Sequence, residues 1–381
     1  MLKKREVGIT SALLLGAISL LAFVLIIAQT DIAIEYMNKG LKLCAENVIP
    51  SLFPFMVISE LIVRSGIVIR LSRVLSYPVK MLFGVSEAGA CAYILGVLCG
   101  FPIGAKTAVS MYDSGMMTKR ELERTMTFCN NPGSAFVISA VGSSLLGNKS
   151  LGILIFCCVI LSSVIVGIMS RIFMSRKEDN VVHAIKNSVG TEIDISIFTS
   201  AIQSSATSML IVCAYVAFFS VIVGCIGSTL AYFNIPDMIT SCIFGFFELS
   251  SGVGAAAAEK SATSAVLLCA AFCGWSGLSV HFQVMTVAAG RGISFKPYII
   301  AKATQGLICS ALAGIGLKIF FPNADKITIP SASTLDPSNR AFMLCLLFFA
   351  ASICPVLINF SFWNKGKNIF CKILQKNSKN T

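Results

Sequence analysis

The stretch ISIFTSAIQSSATSMLIVCAYVAFFSVIVGCIGSTLAYFNI, from Ile195 to Ile235, decides the fold class, because no charged side chain interrupts it. About 20 apolar residues in a helix cross about 30 Å of hydrocarbon, and this run is long enough to do so. Ala12 to Ala28, Leu151 to Ser170 and Ala341 to Phe362 are charge-free in the same way. Inside a bilayer every backbone N–H and C=O must be satisfied within the protein, which leaves helices or closed barrels. A barrel would alternate lipid-facing and lumen-facing residues, and these runs do not alternate. The sequence therefore predicts an all-α integral membrane protein. Composition agrees: 56% of the 381 residues are hydrophobic and 13% charged, with a mean hydropathy of +0.83. An ordinary soluble domain carries about 25% charge, so this chain cannot cover a water-facing surface.

Extending the same reading outward predicts about eight transmembrane helices, near 7–28, 46–63, 126–147, 149–173, 205–232, 261–289, 298–320 and 341–363. Two further stretches, 88–110 and 240–258, are rich in Gly, Ala and Ser and read as re-entrant or broken helices. The basic start Lys3-Lys4-Arg5 before an apolar run resembles a secretory signal. The run to Ala28 is longer than a usual signal core, and no clear small-x-small cleavage site follows, so an uncleaved first span is expected.

Lys and Arg gather on the cytoplasmic side of membrane proteins. With the N-terminus inside, that side receives Arg64, Arg70, Arg73, Lys80, Lys119, Arg120, Arg124, Arg171, Arg176, Lys177, Lys186, Arg291, Lys296, Lys302 and the Lys-rich C-terminal tail. The opposite side receives only Lys39, Lys42, Lys149, Lys260, Lys318, Lys326 and Arg340. This asymmetry places both termini in the cytoplasm and requires the two Gly-rich stretches to return to the side they enter from. The net charge of +12 then belongs to membrane topology and to a tail beside anionic lipid, so no nucleic-acid partner is expected. The acidic and basic run Thr118 to Arg124 reads as a helix start, with Thr118 as cap and Glu121 three residues on. His183 falls in a polar loop.

Five regions follow: 1–45, a first span and an external loop; 46–147, a first repeat; 148–204, a linking span and a cytoplasmic loop; 205–290, a second repeat; and 291–381, the last spans and a basic tail. The repeats rest on two matches. Phe128-Cys129-Asn130-Asn131-Pro132-Gly133-Ser134 aligns with Phe272-Cys273-Gly274-Trp275-Ser276-Gly277-Leu278, and Gly104-Ala105 with Gly254-Ala255. Each repeat reads as a span, a Gly-rich stretch and a broken span. In the topology above, the two run in opposite senses. Inverted repeats with broken helices at the midplane are a common design of secondary transporters.

The candidate substrate-binding residues sit at these breaks. Gly100, Pro102 and Gly104 interrupt the first Gly-rich stretch beside Lys106. Pro removes a donor, and the free N–H groups of a helix start favour an anion. Lys106 would add a full charge; alternatively it snorkels to the interface. Asn130 and Asn131 are adjacent amides inside a predicted span, serving either a cavity or helix–helix contact. Glu248, followed by Ser250 and Ser251, is an acid at membrane depth, a functional candidate by default. It would couple transport to protons, hold a cation or pair with Lys106. Gly277, Ser279, His281 and Gln283 form the second opening, and His281 is a titratable candidate.

Other chemistries lack support. Fifteen cysteines fall mostly inside apolar runs with no C-x-x-C, and two histidines are too few to share a metal site. No metal or cofactor is expected. No P-loop, H-E-x-x-H or G-x-S-x-G is present, and nothing pairs a nucleophile with a base, so no enzyme is expected. A homo-oligomer is left open.

Four of these stretches resemble a known family: Gly100-Phe101-Pro102-Ile103-Gly104-Ala105-Lys106, Phe128-Cys129-Asn130-Asn131, Glu248-Leu249-Ser250-Ser251-Gly252 and Gly277-Leu278-Ser279-Val280-His281. They are similar to the signature stretches of the sporulation integral membrane protein YlbJ (SpoVV) family, which contains the nucleoside-recognition, or Gate, domain. The resemblance covers roughly residues 40–320. It implies transport of dipicolinate (pyridine-2,6-dicarboxylate) across the outer forespore membrane, from mother cell toward forespore. A planar dianion suits Lys106, the helix N-termini and the Asn amides; beside it Glu248 is expected to be neutral or paired with a cation. A nucleoside carrier and a non-transporting sporulation scaffold are the alternatives.

Overall fold

A computed structural model describes residues 9–64, 77–174, 195–259 and 261–322. Several sequence expectations lie outside the described residues: Lys3, Lys4, Arg5, Arg70, Arg73, Arg176, Lys177, His183, Lys186, Lys260, Lys326, Arg340, the span at 341–363 and the basic tail.

The described elements are all helical, and no strand occurs among them. Helix α1 (Ile9–Ala28) turns by 102° into α2 (Thr30–Leu43). A π-turn at Cys44–Val48 leads on into α3 (Ile49–Arg64). The sequence reading made residues 29–45 part of an external loop. They are instead an amphipathic helix lying along α9 (Ile195–Tyr232). Its polar face, with Asp31, Glu35, Lys39 and Lys42, resembles a loop in composition. Its other face sets the ring of Tyr36 on Gly224 and Gly40 against Ala217 and Ser220.

A short α4 (Tyr77–Phe83) bends by 101° into α5 (Glu87–Cys99). Ser86 caps α5 by accepting from the Gly89 N–H at 3.4 Å. The chain then reverses through Gly100, Phe101 and Pro102, with a cis Phe101–Pro102 peptide, into α6 (Ile103–Asp113). Gly100 has φ 81 and ψ −175, a backbone region open essentially to glycine alone. Helix α7 (Lys119–Met126) starts on the predicted cap, with the Glu121 N–H donating to Thr118 Oγ1 at 3.1 Å. The Glu121 carboxylate does not complete a capping box; it accepts from the Ser86 N–H at 2.5 Å and so ties α7 to the start of α5.

The expected span at 126–147 is broken. After Met126 the chain runs non-helically through Asn130, Asn131, Pro132 and Gly133 and resumes as a π-helix (Ala135–Leu145). Asn148 then caps α8 (Lys149–Phe173). The second half of the chain repeats the order. Helix α10 (Asp237–Phe247) reverses at Glu248 into α11 (Leu249–Ala257). Helix α12 (Ala262–Trp275) breaks at Ser276, in left-handed conformation, and continues as α13 (Gly277–Val287). Helix α14 (Lys296–Phe320) follows.

Two hairpins and two broken helices thus stand side by side. Each hairpin closes on a glycine pair: Gly96 meets Gly104 in α5–α6, and Gly245 meets Gly252 in α10–α11. Each hairpin tip rests on a break, Gly100 on Gly133 and the Glu248–Leu249 backbone on Gly277. The packing is also crosswise, with α6 against α13 and α11 against the π-helix. One apolar cluster joins α5, α6 and α7 to Val280 and Val284 of α13. The other joins the π-helix, α8, α11, α12 and α14, and Phe101 packs against both. Gly252 packs on Gly245 as Gly104 packs on Gly96, whereas Gly254, matched with Gly104 in the sequence, faces open space.

Four helices among the described residues are long and apolar enough to cross a membrane: Lys149–Phe173, Ile195–Tyr232, the broken Ala262–Val287 and Lys296–Phe320. Counting each bent pair as one span raises the number to six. The 13 and 11 residues of α5 and α6 rise about 1.5 Å each and individually fall short of the hydrocarbon thickness.

A methyl group on Gly104 would fall on the Cys129 carbonyl, whereas one on Gly254 meets nothing within 4 Å. Overpacking at close contacts costs about 1–3 kcal/mol. Thermal unfolding in detergent is expected to show Gly104→Ala clearly less stable than wild type and Gly254→Ala unchanged. Equal midpoints for the two variants would contradict the hairpin packing.

Candidate functional site

The breaks expose backbone that a lipid-embedded protein has to satisfy internally, and α14 supplies the partners. Tyr298, Lys302 and Gln305 lie at i, i+4 and i+7, hence on one face of a helix. All three are buried, with Lys302 and Gln305 at 0% exposure. Lys302 Nζ donates to the Asn130 carbonyl at 3.0 Å and to Gln305 Oε1 at 2.8 Å. Gln305 Nε2 donates to Asn131 Oδ1 at 2.8 Å and to the Val159 carbonyl of α8 at 3.4 Å. Asn131 Nδ2 closes its own turn on the Phe128 carbonyl. One side-chain network therefore fixes the break between α7 and the π-helix.

The network continues to the second break. Asn130 Nδ2 donates to the Tyr298 hydroxyl at 3.4 Å, and that hydroxyl lies 3.0 Å from His281 Nδ1. A hydroxyl has a single hydrogen. It also has two lone pairs, so it accepts from Asn130 and either donates to or accepts from His281 Nδ1, as the imidazole tautomer sets. His281 stands edge-on to Trp275 and to Tyr298, at centroid separations of 4.3 and 5.2 Å. Asn130 Oδ1 and His281 Nε2 are buried without a hydrogen-bond partner among the described residues. Lys302 has no carboxylate partner among them either.

The sequence reading assigned the site cation to Lys106, and the structure gives Lys106 a different setting. Its Nζ lies 3.0 Å from Glu60 Oε2 of α3 and donates to Ser204 Oγ at 2.8 Å and Ser208 Oγ at 3.1 Å, both on α9. Lys106 and Glu60 are 21% and 15% exposed and line a small pocket with Ser59, Thr107 and Ser110. Glu60 also holds Arg64 at 2.9 Å. Lys106 thus has a counter-charge in place, and Lys302 has none among the described residues.

Glu248 does not pair with Lys106. Its two carboxylate oxygens accept from the Ser250 N–H at 2.9 Å and the Ser251 N–H at 2.6 Å, capping α11. At 2% exposure it is satisfied by its own helix start, a favourable place for an anion. Ser250 and Ser251 take part through their backbone. Gly277, with φ +76, lets α13 begin against the backbone of Glu248 and Leu249. Ser279 and Gln283 bond each other at 3.4 Å, one turn apart. Two positions separate them from His281, so they lie on another face of α13, and Gln283 Oε1 has no partner among the described residues. Of the expected site residues, the structure joins Asn130, Asn131 and His281 in one network. Gly100 and Gly104 pack on the break at Gly133 and Cys129, Pro102 precedes the start of α6, and Lys106, Glu248 and Gln283 stand apart from the network.

Among curated proteins the chain is similar to the sporulation integral membrane protein YlbJ of Bacillus subtilis (strain 168). The two are 26% identical over 333 residues, covering 78% of this chain and 80% of the relative. This likeness agrees with the four signature stretches and with the helical, apolar architecture.

The likeness supports a place in the YlbJ family.

It is a multi-pass membrane protein. No family model matches it, so the Gate domain remains a resemblance, and no solved structure matches it. The residues that sequence reasoning missed are Tyr298, Lys302, Gln305 and Glu60. For the first three a signal existed: a polar stripe at helical spacing through an apolar helix. Lys302 was instead counted as a cytoplasmic loop charge. Its burial removes it from that tally, because a lysine seated on a break carbonyl belongs to the interior and not to the loop.

Removing one partner of a partly buried ion pair leaves the other charge unpaired, at a cost between the values for exposed and buried pairs, about 1–3 kcal/mol. Lys106→Met is expected to lower the unfolding midpoint, and adding Glu60→Gln to recover part of the loss. Additive losses in the double variant would show that the pair does not couple.

Proposed function

We propose that this chain carries a small organic anion through the membrane, with the anion held beside Lys302 between the two helix breaks. One observation carries the reading: a fully buried lysine whose acceptors, a carbonyl and an amide oxygen, are both neutral. A buried cation is costly unless paired. A helix cap alone does not require one, since a neutral amide donor would serve the Asn130 carbonyl. An ionisable group within a span is a functional candidate by default. His281 Nε2, buried without a hydrogen-bond partner among the described residues, adds a second free polar atom from the other break.

The two hairpins, the two broken helices and their crosswise packing support an inverted-topology repeat with re-entrant hairpins. In transporters of that kind the substrate lies where the discontinuous helices meet. The proposed substrate is dipicolinate, a planar dianion suited to donors from two sides, and both termini are placed in the cytoplasm. Likeness to a sporulation integral membrane protein underlies the rest of the proposal, a place in the outer forespore membrane with transport toward the forespore. On this reading the chain is not an enzyme, and its partners are the anion and the bilayer.

Uptake into proteoliposomes tests it. Wild type is expected to show saturable uptake of labelled dipicolinate, insensitive to excess uridine. Loss of a charge-assisted partner in a desolvated site costs about 3 kcal/mol or more, so Lys302→Gln is expected to lose at least about 100-fold. Lys106→Gln is expected to stay within about tenfold. Competition by uridine would favour a nucleoside carrier, and a Lys106→Gln loss larger than that of Lys302→Gln would move the site to α3, α6 and α9.

A further inference from the structure

The donor arithmetic at Lys302 reaches beyond substrate binding. An ammonium has three N–H donors, and a neutral amine has two donors and a lone pair. Lys302 Nζ has two acceptors, the Asn130 carbonyl and Gln305 Oε1. Both N–H groups of a neutral amine are therefore satisfied in this structure, while an ammonium keeps one N–H without an acceptor among the described residues. A substrate carboxylate would supply both the missing acceptor and the missing counter-charge.

We propose that each anion crosses together with one proton, carried on Lys302 Nζ, an inference that rests on the anion-carrier reading above. On the side of entry, one proton from water joins the Lys302 amine as the carboxylate arrives, giving an ammonium–carboxylate pair. On the side of release the pair separates: the carboxylate leaves as the anion, the ammonium gives its proton to water, and the neutral amine returns to its two acceptors. One anion and one proton move in the same direction per cycle, and the empty carrier returns without a buried unpaired charge.

The surroundings of Lys302 fit this cycle. The ionisable groups that act on it are Cys309 on its own helix, Cys129 at the first break and Cys273 on α12. Tyr298 lies one turn before it, and His281 on α13 feels its charge. Cys158 on α8 lies beside Cys309. None of these is a carboxylate, so among the described residues no anion would hold the ammonium once the substrate has gone. Glu248 is engaged at the start of α11, and Glu60 is engaged by Lys106 and Arg64. His281 is the other candidate proton carrier, and the arginine variant below separates the two.

Calorimetric titration of the full-length protein with dipicolinate, repeated in buffers of different ionisation enthalpy between about pH 6 and pH 9, where carboxylates stay ionised, counts the protons exchanged. Wild type is expected to take up protons on binding, approaching one per anion toward the alkaline end. Its affinity should fall about tenfold per pH unit there, as linkage requires for one bound proton. Lys302→Arg, whose charge is permanent, is expected to bind with no proton uptake and no such slope. Wild-type binding without proton exchange, or proton uptake that persists in Lys302→Arg, would overturn the coupling while leaving the anion site in place. Absence of any dipicolinate binding by wild type with an intact thermal unfolding transition would overturn the anion-carrier reading, and the coupling with it.

Discussion

The contact between Lys302 Nζ and the Asn130 carbonyl, 3.0 Å long, is the interaction on which the rest of this structure depends. A span that breaks within hydrocarbon leaves carbonyls and N–H groups that lipid cannot satisfy. The chain answers by driving a lysine from α14 onto the break and backing it with Gln305, which grips Asn131 and α8 in turn. Asn130 then reaches Tyr298, and Tyr298 reaches His281 beyond the second break. Two interruptions far apart in sequence are thereby joined through one helix. The glycine contacts around them, Gly100 on Gly133 and Gly104 on Cys129, keep the hairpin tip close enough to exclude lipid from the same place.

The two lysines of the interior divide the electrostatic work. Lys106 touches a carboxylate and two hydroxyls and keeps some exposure, so its charge is compensated in place and it ties α6 to α3 and α9. Lys302 is wholly enclosed, and its acceptors are neutral. In a low-dielectric interior an unpaired charge weighs far more than a paired one, so the enclosed lysine is where an anion gains most by arriving. On the side where α6 and α13 end, a second tie spans the halves: Arg291 forms hydrogen bonds with Asp113 at 2.6 and 2.9 Å. Hydrogen bonding to this guanidinium holds the Asp113 carboxyl below its ordinary range. The pair is largely exposed, and exposed pairs contribute little to stability, so it adds little to the clasp.

Much of this architecture was legible in the sequence. The charge-free runs predicted α1, α8 and α9, and the apolar span expected at 298–320 is α14. Gly100 with Pro102, Asn130 to Gly133, Glu248 and Ser276 with Gly277 predicted where helices stop, since each places a residue with special backbone freedom or unsatisfied polarity inside an apolar run. The π-character of Ala135–Leu145 and the helicity of Thr30–Leu43 were not legible. The first depends on how the break is seated, and the second on burial of Tyr36 and Gly40 against α9, which composition does not reveal. Side-chain partners were legible only where they are local. Glu248 capping the N–H groups two and three residues on is a local pattern. Lys106 meeting Glu60 and Ser204 is not, because those partners lie in other helices. Lys302 was misplaced because charge counting treats a lone cation near a helix start as a loop residue, although the spacing of Tyr298, Lys302 and Gln305 already described a buried polar face.

Locating bound dipicolinate by electron cryomicroscopy of the full-length protein in lipid nanodiscs tests the central claim most directly. The account predicts ligand density within hydrogen-bond reach of Lys302 Nζ, flanked by Asn130 from one break and His281 from the other. Density at the Lys106–Glu60 pocket, with the Lys302 network intact and empty, would contradict it.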